Sequence, residues 1–123
     1  MAVKRVLLVE PQFYTRVELE DALEPKGFQV TSVKDRYNAL MKLKSQIFHL
    51  IMTGARDASN EVLFLLRSLR EAGIVLPVVV LLSDPTASLV QRIGEYPPVE
   101  IVVMPYSLRE LTRRMETVAS RRR

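Results

Sequence analysis

Short apolar runs that alternate with helical patterns leave this chain few folds to choose from. Val6-Leu7-Leu8-Val9, Leu50-Ile51-Met52-Thr53, Val78-Val79-Val80-Leu81-Leu82 and Ile101-Val102-Val103-Met104 are short and show no apolar–polar alternation. Such runs read as strands covered on both faces, the habit of a parallel sheet. Phe28–Val33 is mixed but rich in strand formers and supplies a fifth strand. Between the runs lie amphipathic segments. Thr15, Leu19, Ala22 and Leu23 share a face, as do Ala39, Leu40 and Leu43. Val62, Leu65, Leu66 and Leu69 follow the spacing i, i+3, i+4, i+7. Leu89, Val90 and Ile93 mark a short fourth helix, and Leu108, Leu111, Met115 and Val118 mark the last. Gly27 and Gly73 stand where helices should stop. Asp84-Pro85 reads as an N-cap followed by proline at the first helical position. Ser107-Leu108-Arg109-Glu110 has the spacing of a capping box. Five βα units in succession predict an α/β fold, a doubly wound five-stranded parallel sheet with five helices on its two faces. Ligands of such sheets bind beyond the carboxyl ends of the strands, here at Glu10, Gly54, Leu82 and Met104.

Composition narrows the function classes. The chain has 123 residues, 48% hydrophobic and 26% charged, which suits a globular domain and argues against disorder. The expectation is one domain over residues 1–120, with 121–123 a basic tail or the start of a linker. There is no cysteine, so no disulfide or thiolate metal site, and a single histidine, His49, excludes a multi-histidine metal centre. His49 reads as a surface residue. No apolar run approaches the roughly 18–20 residues of a membrane span. The run after Met1–Arg5 is too short for a signal-peptide core and is ended by Glu10. A cytoplasmic location is the expectation. The net charge of +4 gathers partly at Arg113, Arg114 and Arg121 to Arg123. Such a terminal cluster is more often a solvated face than a nucleic-acid footprint. There is no glycine-rich phosphate loop, and no nucleophile–base pair stands out.

In order and separation these landmarks resemble the receiver domain of bacterial response regulators, over essentially the whole chain. Val6–Glu10 resembles the family's first strand, which normally ends in an acidic pair. Leu50–Gly54 resembles the third, which normally ends in the phosphoacceptor aspartate. Leu76-Pro77-Val78-Val79-Val80-Leu81-Leu82-Ser83 resembles the fourth, which ends in a switch threonine or serine. Val103-Met104-Pro105-Tyr106-Ser107 resembles the fifth, normally Lys-Pro-Phe. The resemblance implies a flavodoxin-like fold, a place in two-component signal transduction and a cis bond before Pro105.

The departures fall on the chemistry. Aspartyl phosphorylation needs a carboxylate nucleophile, hard oxygen ligands for Mg²⁺ and a lysine that bonds the phosphoryl oxygens. Glu10 holds the first acidic position, but Pro11 stands at the main metal ligand and Gly54 at the phosphoacceptor. Leu82 stands at the switch hydroxyl, or Ser83 if the register slips by one. Met104 replaces the lysine, and Ile101 replaces the switch aromatic. Neither Asp57 nor Asp84 is placed to substitute. The expectation is therefore a pseudo-receiver that is not an enzyme and takes no metal or cofactor. Its altered pocket would comprise Glu10, Pro11, Gly54, Arg56, Leu82, Ser83, Met104 and Pro105. Within it, Arg56 would pair with Glu10, and Met104 would be buried against Leu82, with Phe13, Tyr14 and Tyr106 closing the space.

Receivers communicate mainly through the face of the fourth helix, fifth strand and fifth helix. That face would here present Arg92, Glu95, Tyr96, Glu100, Ile101, Arg109, Thr112 and Arg113 to a protein partner in a regulatory pathway, or to a second copy in a homodimer. Phe64 lies opposite the core face of its helix and reads as an exposed contact. Two other readings are a small-molecule sensor using the altered pocket and a nucleic-acid-binding regulator using the basic last helix.

Overall fold

The computed structural model describes residues 4–55 and 60–120. The elements in chain order are β1 (Lys4–Val9), α1 (Phe13–Leu23), a 3₁₀ turn (Glu24–Lys26), β2 (Phe28–Val33), α2 (Arg36–Ser45) and β3 (Leu50–Ala55), followed by α3 (Glu61–Glu71), β4 (Val78–Leu82), α4 (Ala87–Ile93), β5 (Val99–Val103) and α5 (Leu108–Ser120). The five strands form one parallel sheet in the order β2-β1-β3-β4-β5. This is the doubly wound, flavodoxin-like architecture. The chain leaves β1 for one side of the sheet and returns to β3 on the other. The crevice at that reversal opens at the carboxyl ends of β1 and β3, where Glu10 and Gly54 sit.

Alternation along each strand divides the core in two. Leu7, Ile51, Val80 and Leu82 pack under α2, α3 and α4, against Ala39, Val62, Leu66, Leu89 and Ile93. Val6, Leu8, Met52, Val79 and Leu81 face the other way, against Leu19 and Leu23 of α1 and Leu111, Met115 and Val118 of α5. The helical faces expected from the periodicity are the ones turned to the core, their residues buried or partly buried except at Val90. Val90 is exposed, because α4 is short and reaches the core only through Leu89 and Ile93.

Several local expectations are corrected. β5 is not covered on both faces. It is an edge strand, so Val99 and Ile101 are partly exposed and Val103 is 46% exposed, while Val102 is buried. β3 runs one residue past Gly54, because Ala55 still pairs with Leu82. Asp84-Pro85 does not open α4. The cap is Thr86, whose Oγ1 accepts the Leu89 N–H at 3.1 Å. At α5, Ser107 Oγ accepts the Glu110 N–H at 3.0 Å. The Glu110 carboxylate turns to Arg114 at 3.7 Å, which is the i,i+4 alternative to a capping box. His49 is partly buried, with its Nδ1 accepting the Arg5 N–H at 2.9 Å while its own N–H donates to the Arg5 carbonyl. It therefore lengthens the edge of the β1–β3 pairing. Gly27 has φ +96° and Gly73 φ +73°, so both end their segments in the left-handed region that glycine enters without a Cβ penalty. Among the described residues, no helix is long and apolar enough to cross a membrane.

Candidate functional site

Glu10 is the first residue beyond β1, and its N–H donates to the Val33 carbonyl at 2.9 Å, which keeps it in register with the end of β2. Its side chain folds back into the strand-end crevice and is only 3% exposed. Glu10 Oε2 accepts the Gln12 N–H at 2.8 Å. Arg16 Nη1 donates to the Glu10 and Pro11 carbonyls at 2.8 and 3.0 Å, which braces the turn into α1. Gly54 faces this carboxylate across the crevice. A Cβ on Gly54 would lie 2.9 Å from Glu10 Oε1, closer than real Cβ contacts come. The carboxylate of β1 thus occupies the space from which a side chain on β3 would project.

The remaining strand-end residues do not all converge there. Leu82 is fully buried among the residues under α2, α3 and α4, on the opposite face from the cavity described below. Ser83 is the hydroxyl that lines the cavity, and its Oγ donates to the Ala55 carbonyl at 3.3 Å. Met104 is not buried against Leu82 as expected. It is 44% exposed at the cavity rim, because Leu82 faces the other side of the sheet and β5 is an edge strand. The two residues meet only through the main chain, where the Met104 N–H donates to the Leu82 carbonyl at 2.9 Å. The Met104-Pro105 bond is cis, and Pro105 itself is exposed. Pro11 is also exposed and borders a separate crevice of about 350 Å³ beside Lys34, Asp35 and Arg36. Phe13 and Tyr14 do not close the pocket. Both are exposed, in edge contact with each other at 5.5 Å. Arg56, with the pairing expected of it, and Asp57 lie outside the described residues.

What the fold does build is a cavity of about 530 Å³ between α1, α5 and the ends of β3 and β4. Leu19, Leu81 and Leu111 form its apolar floor, and Glu10, Glu18, Thr15 and Tyr106 supply polar groups. Burial holds the Tyr106 phenol above its ordinary pKa of 10.0, and the negative charges of Glu18 and Glu10 push it further the same way. A tyrosine raised in the folded state keeps its proton there after the unfolded chain has lost it. Its contribution to stability is therefore intact below pH 10 and lost as pH climbs through the raised value. Absorbance titration should show one of the four tyrosines ionising later than the rest. That late step should vanish in Tyr106→Phe and move to lower pH in Glu18→Gln. A late step that survives Tyr106→Phe would assign it elsewhere.

No protein-family model matches the sequence, and no curated protein does. Solved structures do match. The signal receiver domain of an HD domain-containing protein from Pseudomonas fluorescens Pf-5 superposes with a TM-score of 0.84 at 19% identity, over 97% of this chain and 96% of that one. A response regulator from Thermotoga maritima gives 0.83 at 24% identity, over 96% and 98%. The chemotaxis protein CheY4 of Vibrio cholerae gives 0.84 at 18% identity, over 95% and 99%. The fold is that of receiver domains.

Within the receiver fold, the acid pocket would ordinarily be a Mg²⁺ site. The donor set among the described residues does not fit that ion. Among the described residues no three acidic or histidine side chains are grouped to hold a metal. At the strand ends, Glu10 brings a carboxylate, Pro11 a saturated ring and Gly54 no side chain at all, too few hard oxygens for a near-octahedral cation.

The residues expected on the face of α4, β5 and α5 stand in unequal positions. Arg109 and Arg113 are exposed on α5, whereas the exposed Arg92 and Glu95 border a crevice with Phe64 and Arg67 on the α3 side of α4. Tyr96 packs against the core beneath the Arg70 guanidinium, 4.3 Å from its ring centre. Glu100 is bound to Arg114 at 2.6 Å, and Ile101 and Thr112 are partly buried. Val103 and Val90 add exposed apolar surface to this face. The sequence offered no sign of Val103, since only the strand order shows that β5 is an edge. Phe64 is 43% exposed on α3, with the Arg36 guanidinium 5.3 Å from its ring centre.

Proposed function

We propose that this protein is a receiver-fold interaction domain of a signalling pathway that does not accept a phosphoryl group. The observation that carries the reading is the 2.9 Å approach between Glu10 Oε1 and the position a Cβ would take on Gly54. Gly54 has no side chain to phosphorylate, and the carboxylate beside it belongs to the end of β1 and not to the acceptor strand. Met104 at the rim has no charge with which to neutralise phosphoryl oxygens. Function then rests on binding. The α4–β5–α5 face offers exposed Val90 and Val103 together with the exposed Arg109 and Arg113 of α5, the mixture of apolar and charged groups that suits a protein contact. We read the setting as bacterial two-component signalling in the cytoplasm, with a protein partner or a second copy on that face. A nucleic-acid role for α5 is weakened by Arg114, which is committed to Glu100 and Glu110.

The test has two parts. Incubated with Mg²⁺ and acetyl phosphate, the protein should keep its intact mass. A stoichiometric, hydroxylamine-sensitive adduct would overturn the reading. In affinity capture from the native host, Val103→Asp combined with Arg109→Glu should lose partners that Lys42→Glu on α2 retains. Equal recovery by the parent and both variants would remove the face from the proposal.

A further inference from the structure

On the α3 side of α4 lies a crevice that the α4–β5–α5 face does not include. Leu63, Phe64 and Arg67 of α3 line it on one side, and Arg92, Glu95 and Tyr96 on the other. We propose that this crevice docks an acidic segment of a partner protein, with one apolar side chain seated between carboxylates that reach Arg67 and Arg92. The spacing along α3 builds the first wall. Leu63 and Phe64 stand four and three residues before Arg67, so the three share one stripe of the helix. Leu63 is buried, Phe64 is 43% exposed and Arg67 is exposed. The second wall is the end of α4, where the Glu95 N–H donates to the Arg92 carbonyl at 3.2 Å and the Tyr96 N–H to the Ile93 carbonyl at 3.1 Å. Arg70, one turn further along α3, fixes that turn by donating to the Glu95 carbonyl and stacking over the Tyr96 ring.

Arg67 and Arg92 thus reach one crevice from two helices. Among the described residues neither guanidinium forms an ion pair or a hydrogen bond. Within the lining, these two positive groups outnumber the single carboxylate of Glu95, and Arg70 adds a third at the Tyr96 end. Carboxylates are the complement of such groups, which bind them through charge-assisted and often paired hydrogen bonds. The volume of about 190 Å³ is smaller than the roughly 300 Å³ at which small-molecule sites begin, and it suits one side chain. Leu63 and the rings of Phe64 and Tyr96 give that side chain an apolar seat. The seat, and the Glu95 carboxylate within the lining, favour spaced carboxylates over the continuous charge of a nucleic-acid backbone.

The probe is a short fluorescent peptide of alternating aspartate and leucine, titrated into the isotope-labelled intact chain and followed by anisotropy and amide NMR. Saturable binding should map to α3 and the end of α4 and weaken as salt rises. Lysine in place of the aspartates should abolish it, and serine in place of the leucines should weaken it about tenfold. Arg67→Gln and Arg92→Gln should each weaken binding about tenfold, the loss of one charge-assisted contact, with the melting temperature unchanged. Arg109→Glu on α5 should leave the affinity as it is. Affinity unchanged in both glutamine variants, shifts centred elsewhere, an equal loss in Arg109→Glu, or tighter binding of single-stranded oligothymidylate at the same residues would overturn the assignment. Neither the acetyl phosphate experiment nor the capture with Val103→Asp and Arg109→Glu involves this crevice, so its failure and that of the proposed function are distinguishable.

Discussion

Gly54→Asp, which returns a carboxyl group to the end of β3, is expected to destabilise the protein by about 3 kcal/mol near neutral pH and to leave it unphosphorylated. The new Cβ would begin 2.9 Å from Glu10 Oε1, and Glu10 is buried and held by the Gln12 N–H. Two carboxylates would then share one poorly solvated space, where like charges cannot both stay ionised at ordinary cost. The pair would hold a proton to higher pH than the same groups in the unfolded chain. The folded variant therefore binds more protons than the unfolded one in that window, and its stability falls as pH rises. Urea midpoints should show a small deficit against the parent at pH 4.5 and a large one at pH 7.5. Glu10→Gln combined with Gly54→Asp should recover most of the loss by removing the repulsion. Phosphorylation should stay absent in the single variant, because Pro11 and Met104 still lack the groups that bind metal and phosphate. A Gly54→Asp protein as stable as its parent at pH 7.5 would mean that the Glu10 carboxylate swings clear or is charge-compensated, and would refute the repulsion.

Leu82→Thr, which returns a switch hydroxyl to the end of β4, should also cost about 3 kcal/mol. Leu82 is fully buried among apolar side chains beneath α2, α3 and α4, not in the cavity. The substitution removes hydrocarbon, leaves a void and places a hydroxyl where its surroundings are apolar. The residue one step later behaves differently. Ser83→Ala deletes the partly buried bond to the Ala55 carbonyl and should cost about 1 kcal/mol. Denaturant midpoints of the two variants decide between the residues. If Leu82→Thr were the milder change, the facing of β4 described above would be wrong.

Much of the architecture was legible along the chain. The four uninterrupted apolar runs, the spacing of Val62, Leu65, Leu66 and Leu69 and the stops at Gly27 and Gly73 are local signals. They depend on periodicity and on backbone conformations that a few residue types favour. The absence of a carboxyl side chain at Gly54 and of a lysine at Met104 is likewise a property of identity alone. The caps were less legible. Asp84 and Thr86 are both competent N-caps, and Asp35, unmarked in the sequence reading, caps α2 by accepting the Asn38 N–H at 2.9 Å. That bond holds the Asp35 carboxyl below its ordinary pKa. Position in the assembled sheet decided the rest. β5 resembles β4 as a run of residues, yet it is exposed because nothing pairs with its outer edge. Leu82 and Ser83 are neighbours in the chain, but the pleat sends one into the core and leaves the other at the cavity. The use of Glu10 to fill the space beside Gly54 depends on two strands lying side by side, a distance that no pattern along either strand contains.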